Sequence, residues 1–310
     1  MAPLNHRSIS RTLLLGAAVC ATALAGVVPV SAQSNDPRPL VLVVHGRGQL
    51  GRDSANVRSE AYHALQRGFR AIDADVSLRE SDVGLVWYAD ILDSHALSTT
   101  VVACPASARG VASASPDNGL TVLASLAGFL LESAVGMAGD SSQFELRSMA
   151  GDLRYLSDSD TRCAAESRVE DALREARLEH RPVILVSHSL GALVSWGALT
   201  HSSAVQDTTI PEVTRWITMG SPLGLPEVRM LLFGQDRALE RPSLVKSWAN
   251  VLGHDDPFAM RVSPDSAATS TLFDVTGAGV SDEPHLITSY LADPATARLV
   301  LEGWRSAVKP

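Results

Sequence analysis

The sequence is poor in basic and in aromatic residues. Of its 310 residues, 26 are Lys or Arg against 34 Asp or Glu, and aromatic residues make up only 5%. Nucleic-acid-binding domains depend on a basic surface and, for single strands, on aromatic side chains that stack on the bases. The composition therefore argues against a nucleic-acid partner, and the acidic balance is typical of a soluble surface that resists association.

Acidic residues are absent from the first 32 positions, whereas three basic residues occur among the first eleven. An uncharged apolar run from Leu13 to Val28 follows, and it ends shortly before the small residues Ser31 and Ala32. This order is typical of a secretory signal peptide, and a run of about sixteen residues is short for a membrane span. We therefore expect residues 1–32 to direct export, to the periplasm or the medium, and residues 33–310 to form the mature domain.

Cysteine is also scarce, with three in the whole chain. Cys20 falls in the apolar N-terminal run, which leaves Cys104 and Cys163 in the mature domain. An even pair in an exported protein is typical of a disulfide. Such a bond would close a loop of about sixty residues, which chain-entropy estimates value at about 4 kcal/mol. Two buried free thiols are the alternative.

The stretch Val183–Gly191 (Val-Ile-Leu-Val-Ser-His-Ser-Leu-Gly) combines a strand, a sharp turn and the start of a helix. A serine at the apex of such a turn, here Ser189, has an exposed hydroxyl, and the N–H of the next residue, Leu190, is free. The usual motif is Gly-x-Ser-x-Gly; Ser187 replaces the first glycine and is small enough for the turn. The pattern favours Ser189 as a nucleophile, with an ordinary strand-to-helix turn as the alternative.

A second apolar strand, Leu40–Val44, leads directly into His-Gly-Arg-Gly. The loop after a first strand can supply another backbone N–H to an oxyanion beside the nucleophile. The expected donor is the N–H of Arg47, or that of Gly48 if the loop is offset by one residue. The side chain of His45 is expected to be structural rather than catalytic.

Strands and helices alternate along much of the chain. Further strands are predicted at 84–90, 213–219, 247–252 and 270–275, and helices at 54–69, 143–156, 164–178, 295–307 and from His285 onward. This alternation predicts an α/β fold whose mostly parallel sheet carries helices on both faces. Residues from about 94 to 162 break the alternation and are predicted to be a helical insertion. Its apolar run 120–138 fits either a core helix or a lid over the site.

An acid and a histidine are expected after late strands, because the carboxyl ends of a parallel sheet gather there. Asp256 follows Ser189 in the chain, and His285 follows Asp256. Asp255 is the neighbouring alternative to Asp256, since adjacent side chains diverge and only one can serve. Asp274 is a third candidate for the acid.

His254 adjoins these acids in sequence and cannot easily face them. A metal site built from His254, Asp255 and Asp256 is not favoured, because consecutive residues point in different directions and no spaced ligand pair accompanies them. The sequence therefore predicts neither a metal nor another cofactor.

Together, five segments resemble the α/β-hydrolase superfamily, and within it the bacterial exported esterases and lipases: Val-His-Gly-Arg-Gly, Ser-His-Ser-Leu-Gly, Met-Gly-Ser-Pro, Asp-Asp-Pro-Phe and Pro-His-Leu. The resemblance covers residues 39 to 307, apart from the unfamiliar insertion. It implies a cofactor-free serine hydrolase that works through an acyl-enzyme intermediate. In this scheme Ser189 attacks the carbonyl, His285 transfers the proton, and Asp256 orients the imidazole. The N–H groups of Leu190 and Arg47 hold the oxyanion.

The expected substrate is a carboxylic ester. If the run 120–138 is a lid, the ester is an acyl lipid, and the protein makes transient contact with a membrane or lipid interface. A thioesterase, an amidase or an acyltransferase would use the same residues. Because one fold hosts many activities, a non-catalytic binding protein is the alternative from a different class.

Overall fold

The computed structural model describes residues 38–49, 51–92, 124, 128, 151–204, 206–233, 239–262, 272–277 and 283–308. Six strands form one sheet: β1 (Leu40–Val44), β2 (Val83–Val86), β3 (Val183–His188), β4 (Val213–Met219), β5 (Trp248–Leu252) and β6 (Leu272–Thr276). Every pair of neighbouring strands in this sheet is parallel. The predicted α/β architecture with a parallel sheet is confirmed.

The helices alternate with these strands. They are α1 (Ser54–Ala71), the single turn α2 (Ala89–Leu92), α3 (Ser159–Leu178), α4 (Leu190–Ala204), α5 (Pro226–Phe233), α6 (Ile287–Ala292) and α7 (Pro294–Ala307). Short 3₁₀ turns occupy Glu80–Asp82 and Pro222–Gly224, and residues 151–157 are also helical.

Helices cover both faces of the sheet because successive strand side chains point to opposite sides. In β3, Val183 and Leu185 pack in one apolar cluster with residues of α3 and α4. Ile184 and Val186 pack in a second cluster with residues of α1, α6 and α7. A strand buried on both faces has to be apolar throughout, which explains why β1 and β3 are continuous apolar runs rather than alternating ones.

The strand order, β2-β1-β3-β4-β5-β6, changes direction between β1 and β3. From β1 the chain adds β2 on one side, and β3 then begins the remaining strands on the other side. In open parallel sheets, ligands bind in the crevice outside the carboxyl ends of the strands at such a reversal. His45 follows β1 and Ser189 follows β3, so both lie at this crevice.

Two element boundaries differ from the prediction. The strand expected at 84–90 ends at Val86, because Val44 is the last residue of β1 and pairs with Val86, so the sheet has no further partner for the chain there. The helix expected from His285 begins at Ile287, with Leu286 at its N-cap. His285 therefore precedes the helix.

Several expectations fall outside the described residues: the signal peptide 1–32, Cys104 and most of the insertion. In the apolar run 120–138 the structure describes Ala124 and Gly128, which are helical and exposed. Cys163 is buried in α3, and the disulfide stays a prediction. Among the helices of the described ranges, none is both long and apolar enough to cross a membrane.

Candidate active site

Ser189 sits at the junction of β3 and α4 in a conformation that non-glycine residues rarely adopt. Its φ is 52°, in the left-handed region, and its N–H donates to the carbonyl of Met219 at 3.0 Å. Such backbone strain persists only where the surrounding structure imposes it, and it is concentrated at functional sites. The structure thus has the predicted strand–turn–helix, with the serine at its apex.

Two glycines allow the chain to approach itself closely around this turn. A Cβ on Gly191 would lie 2.4 Å from the carbonyl oxygen of His45 and 2.6 Å from that of Val44. A Cβ on Gly46 would lie 2.8 Å from the Cβ of Ser189. The loop after β1 is therefore in direct contact with the turn after β3, which requires glycine at both positions.

Gly191→Ala is expected to lower the free energy of unfolding by about 3 kcal/mol, since the new Cβ meets two backbone carbonyls that cannot rotate away. Gly84→Ala is the matched control, because the nearest atom there is a terminal methyl of Leu42 at 3.1 Å. That side chain can yield, and alanine suits a strand better than glycine, so a cost below about 1 kcal/mol is expected. Urea unfolding measures both variants. Equal costs would contradict the close approach.

Ser187, which replaces the first glycine of the motif, is fully buried and its hydroxyl is hydrogen-bonded. It shares a bond of 2.7 Å with the hydroxyl of Ser195 and accepts one of 3.0 Å from the indole N–H of Trp216. The departure from the motif is thus accommodated without an unsatisfied polar group.

The structure brings Ser189, His285 and Asp256 together in one hydrogen-bonded chain. Nε2 of His285 lies 3.0 Å from Oγ of Ser189. Nδ1 of the same ring lies 3.0 Å from Oδ1 and 2.9 Å from Oδ2 of Asp256. With the proton on Nδ1, donated to the carboxylate, Nε2 is free to accept from the serine hydroxyl. This is the geometry that a general base and its orienting acid require.

The carboxylate of Asp256 is buried but receives several hydrogen bonds. Burial raises its pKa, and hydrogen bonds from His285, from the Tyr290 hydroxyl and from the Phe258 N–H outweigh that effect, so the pKa lies below its usual value. The Phe258 N–H donates to Oδ1 at 2.9 Å, and the Tyr290 hydroxyl donates to Oδ2 at 2.5 Å. Asp256 is therefore ionised when His285 needs an anionic partner.

The other candidate acids and the other candidate imidazole are engaged elsewhere. Asp255 has a φ of 62°, is exposed, and binds the Nδ1 of its neighbour His254 at 2.6 Å. Asp274 accepts from the side chain of Asn250 at 2.8 Å and from the N–H of Val262 at 3.1 Å. None of these three groups contacts His285 through these bonds, whereas Asp256 does.

The two expected oxyanion donors lie at the same place. Leu190 is the first residue of α4, so its N–H has no acceptor within the helix and sits at the positive end of the helix dipole. Arg47 follows Gly46, which abuts the Cβ of Ser189. The backbone of the loop after β1 therefore adjoins the candidate nucleophile, and the donor role of its Arg47 N–H stays a prediction.

The side chain of Arg47 is buried beside the site. Its guanidinium lies 4.6 Å from the ring centroid of Phe258 and 3.5 Å from the carboxylate of Asp152. The ring of Phe258 in turn lies 4.5 Å from the imidazole of His285. Arg47 thus joins the loop after β1, the acid loop and the helical segment 151–157, which ends the predicted insertion.

A cleft of about 350 Å³ opens at Ser189. Its lining is mainly apolar, and the ion pair of Arg47 with Asp152 forms its polar part: Arg47, Asp152, Leu156, Ser189, Leu190, Leu193, Pro222, Val228 and Phe258. An apolar cleft with a few placed polar groups is typical of a small-molecule site. An acyl chain whose carbonyl carbon lay at Ser189 would rest against these side chains.

His45 and His188 are structural in their surroundings. His45 is buried and stacks on Tyr88 at 4.2 Å, and its Nε2 accepts from the Tyr88 N–H at 3.3 Å. Burial lowers the pKa of His45 to about 4. Burial, aided by the nearby His285, also holds the pKa of His188 well below its usual value. Both rings are neutral at physiological pH, in agreement with the structural role expected for His45.

Sequence reasoning missed the site contacts made by Tyr290, Asp152 and Phe258. Tyr290 was read only as an apolar position of a helix, and Asp152 pairs with Arg47 across 105 positions of sequence. Pro257-Phe258 after the acid was the one available signal, since it marks the acid loop. A pattern of apolar spacing cannot show which polar group a side chain will meet across the sheet.

No protein-family model and no curated protein matches this sequence. The chemistry of the site therefore has to be argued from its own geometry. Within the described ranges, no cluster of three or more His, Cys, Asp or Glu side chains has the arrangement of a metal site.

Proposed function

We propose that this protein is an exported serine hydrolase of the α/β-hydrolase fold that cleaves carboxylic esters through an acyl-enzyme intermediate. The observation that carries the proposal is the chain of hydrogen bonds from Ser189 through His285 to Asp256. The three residues come from loops after β3, β5 and β6, so their convergence is a property of the fold and not of local sequence.

In the proposed first step, Oγ of Ser189 attacks the ester carbonyl while Nε2 of His285 takes the hydroxyl proton. The negative charge on the carbonyl oxygen is stabilised by the N–H of Leu190 and that of Arg47. His285 then returns the proton to the departing alcohol, and the acyl group remains on Ser189. Asp256 stays ionised throughout and stabilises the imidazolium that forms between the two transfers.

In the second step a water molecule takes the place of the alcohol. His285 removes a proton from this water as the oxygen attacks the acyl carbon, and Ser189 leaves with the returned proton. The product is a carboxylic acid. If an alcohol, a thiol or an amine enters in place of water, the same residues perform acyl transfer; thioester and amide substrates use them equally.

Three features support a hydrolase over a non-catalytic protein on the same scaffold. Ser189 has a strained backbone, the carboxylate of Asp256 is buried at a cost that burial alone would not favour, and a cleft opens at the serine hydroxyl. A binding module needs none of these in combination. Export and the pairing of Cys104 with Cys163 belong to the proposal on the strength of the sequence patterns alone.

The proposal predicts two results with purified protein. A fluorophosphonate probe should label one serine, mapped to Ser189, because only an activated serine attacks such a phosphonyl centre. With a series of p-nitrophenyl esters, kcat/KM should rise by about fourfold for each methylene that enters the cleft, since each contributes about 0.8 kcal/mol. Val228→Trp, which narrows the cleft, should shorten the preferred chain and leave the acetyl ester unchanged. Absence of both labelling and ester hydrolysis would favour the binding protein.

A further inference from the structure

The hydroxyl of Tyr290 lies between two loops of the candidate site. Tyr290 belongs to α6 and is only 3% exposed. Its hydroxyl donates to Oδ2 of Asp256 at 2.5 Å and accepts from the N–H of Gly253 at 3.0 Å. One phenol thus connects the end of β5 with the acid that follows it.

The direction of these two bonds is fixed by chemistry. The Gly253 N–H can only donate, so the phenol oxygen must accept there, and its single proton is left for the carboxylate of Asp256. Burial, reinforced by the charge of Asp256, raises the pKa of the Tyr290 phenol far above its usual value. The phenol therefore remains a donor at every pH at which the protein is folded.

Space for this contact is provided by glycines at the ends of two strands. A Cβ on Gly253 would lie 2.2 Å from the hydroxyl oxygen of Tyr290. A Cβ on Gly220, whose φ is 53°, would lie 2.7 Å from Oδ2 of Asp256 and 3.0 Å from the Tyr290 ring. Any other residue at these positions would push the phenol and the carboxylate apart.

We propose that Tyr290 is a positioning residue that holds the Asp256 carboxylate in the plane in which it can orient His285; this inference rests on the proposed function. Oδ1 is held by the Phe258 N–H at 2.9 Å, and Oδ2 is held by the Tyr290 hydroxyl at 2.5 Å. With both oxygens fixed, the carboxylate cannot turn about its Cβ–Cγ bond. Without Tyr290 one oxygen is released and the imidazole loses part of its alignment.

Tyr290→Phe tests the proposal, because it removes the hydroxyl and keeps the ring. We expect kcat to fall by about tenfold while KM stays within about twofold, since orientation affects the transition state and not ester binding. Tyr62→Phe is the matched control: this tyrosine of α1 also uses its hydroxyl, donating to the carbonyl of Leu78 at 3.4 Å and accepting from Gln66 at 2.6 Å. Its kcat should equal that of the wild type.

A spectroscopic readout tests the same inference without requiring turnover. The proton between Nδ1 of His285 and Asp256 gives a low-field NMR resonance, which is assigned by its loss in His285→Ala. In Tyr290→Phe this resonance should move further downfield, because Oδ2 no longer shares its lone pairs with the phenol. With 3,5-difluorotyrosine at position 290, a stronger donor that preserves the packing, it should move upfield. In Tyr62→Phe it should not move.

The outcomes separate the inference from the proposed function. If the wild type hydrolyses no ester and takes no probe, the hydrolase proposal fails, and the NMR shifts still decide the role of Tyr290. An active enzyme whose kcat and resonance are both unchanged in Tyr290→Phe would overturn the positioning role. If Tyr290→Phe fails to fold, the difluorotyrosine protein gives the decision, and an unmoved resonance there also overturns it.

Discussion

Ser189→Ala is expected to lower kcat by between about 10⁴- and 10⁶-fold, the loss seen when a serine triad loses its nucleophile. The reason is that no acyl-enzyme can form, whereas the oxyanion donors and the cleft remain and give a small residual rate. Burst kinetics with a p-nitrophenyl ester should also disappear, because the burst reports the covalent intermediate. Initial rates and the burst amplitude measure the two effects.

The control for this substitution is Ser202→Ala. Ser202 lies in the same helix α4 and is buried, and its hydroxyl donates to Glu170 at 3.1 Å, away from the cleft residues. It should lose some stability, as expected for a broken buried hydrogen bond, but keep the wild-type kcat. Ser189→Ala should melt close to the wild-type temperature. A folded Ser189→Ala protein with near-wild-type activity would contradict the assignment of the nucleophile.

Much of this site could be predicted because its groups follow strands whose ends are fixed by the sheet. Once β3 was recognised from its apolar run, Ser189 had to lie at a carboxyl edge, and the residues after later strands had to lie near it. The glycines supported this prediction, since Gly46 and Gly191 mark the close approach of two chain segments. Order along the chain was therefore enough to name Asp256 and His285.

Contacts that depend on helix direction could not be predicted in the same way. Tyr290 occupies a position of α6 whose spacing predicts burial, and the sequence does not show that its hydroxyl meets a carboxylate 34 positions earlier. The choice between Asp255 and Asp256 also needed coordinates. The φ of 62° at Asp255 directs its carboxylate to His254 and leaves it exposed, and such a backbone angle is not legible in the letters Asp-Asp-Pro.

Asp256→Asn is expected to lower kcat by about 10⁴-fold, because an amide stabilises the wrong tautomer of the imidazole. The carboxylate accepts from the Phe258 N–H, the Tyr290 hydroxyl and Nδ1 of His285. An amide has one acceptor oxygen and an NH₂ group that must itself donate. If the oxygen faces Phe258, the NH₂ faces His285, Nδ1 becomes the acceptor, and the proton moves to Nε2, where the ring can no longer accept from Ser189.

Asp255→Asn provides the matched comparison, since it makes the same chemical change one residue away. Its carboxylate is 80% exposed and binds only the adjacent His254 among the bonds described above, so an amide there disturbs neither His285 nor Tyr290. We expect kcat within about twofold of the wild type, because exposed ion pairs contribute little. Steady-state kinetics on the two variants, with circular dichroism to verify folding, decide between the acids. The reverse ranking would transfer the role to Asp255, and equal small losses would mean that His285 acts without an orienting carboxylate.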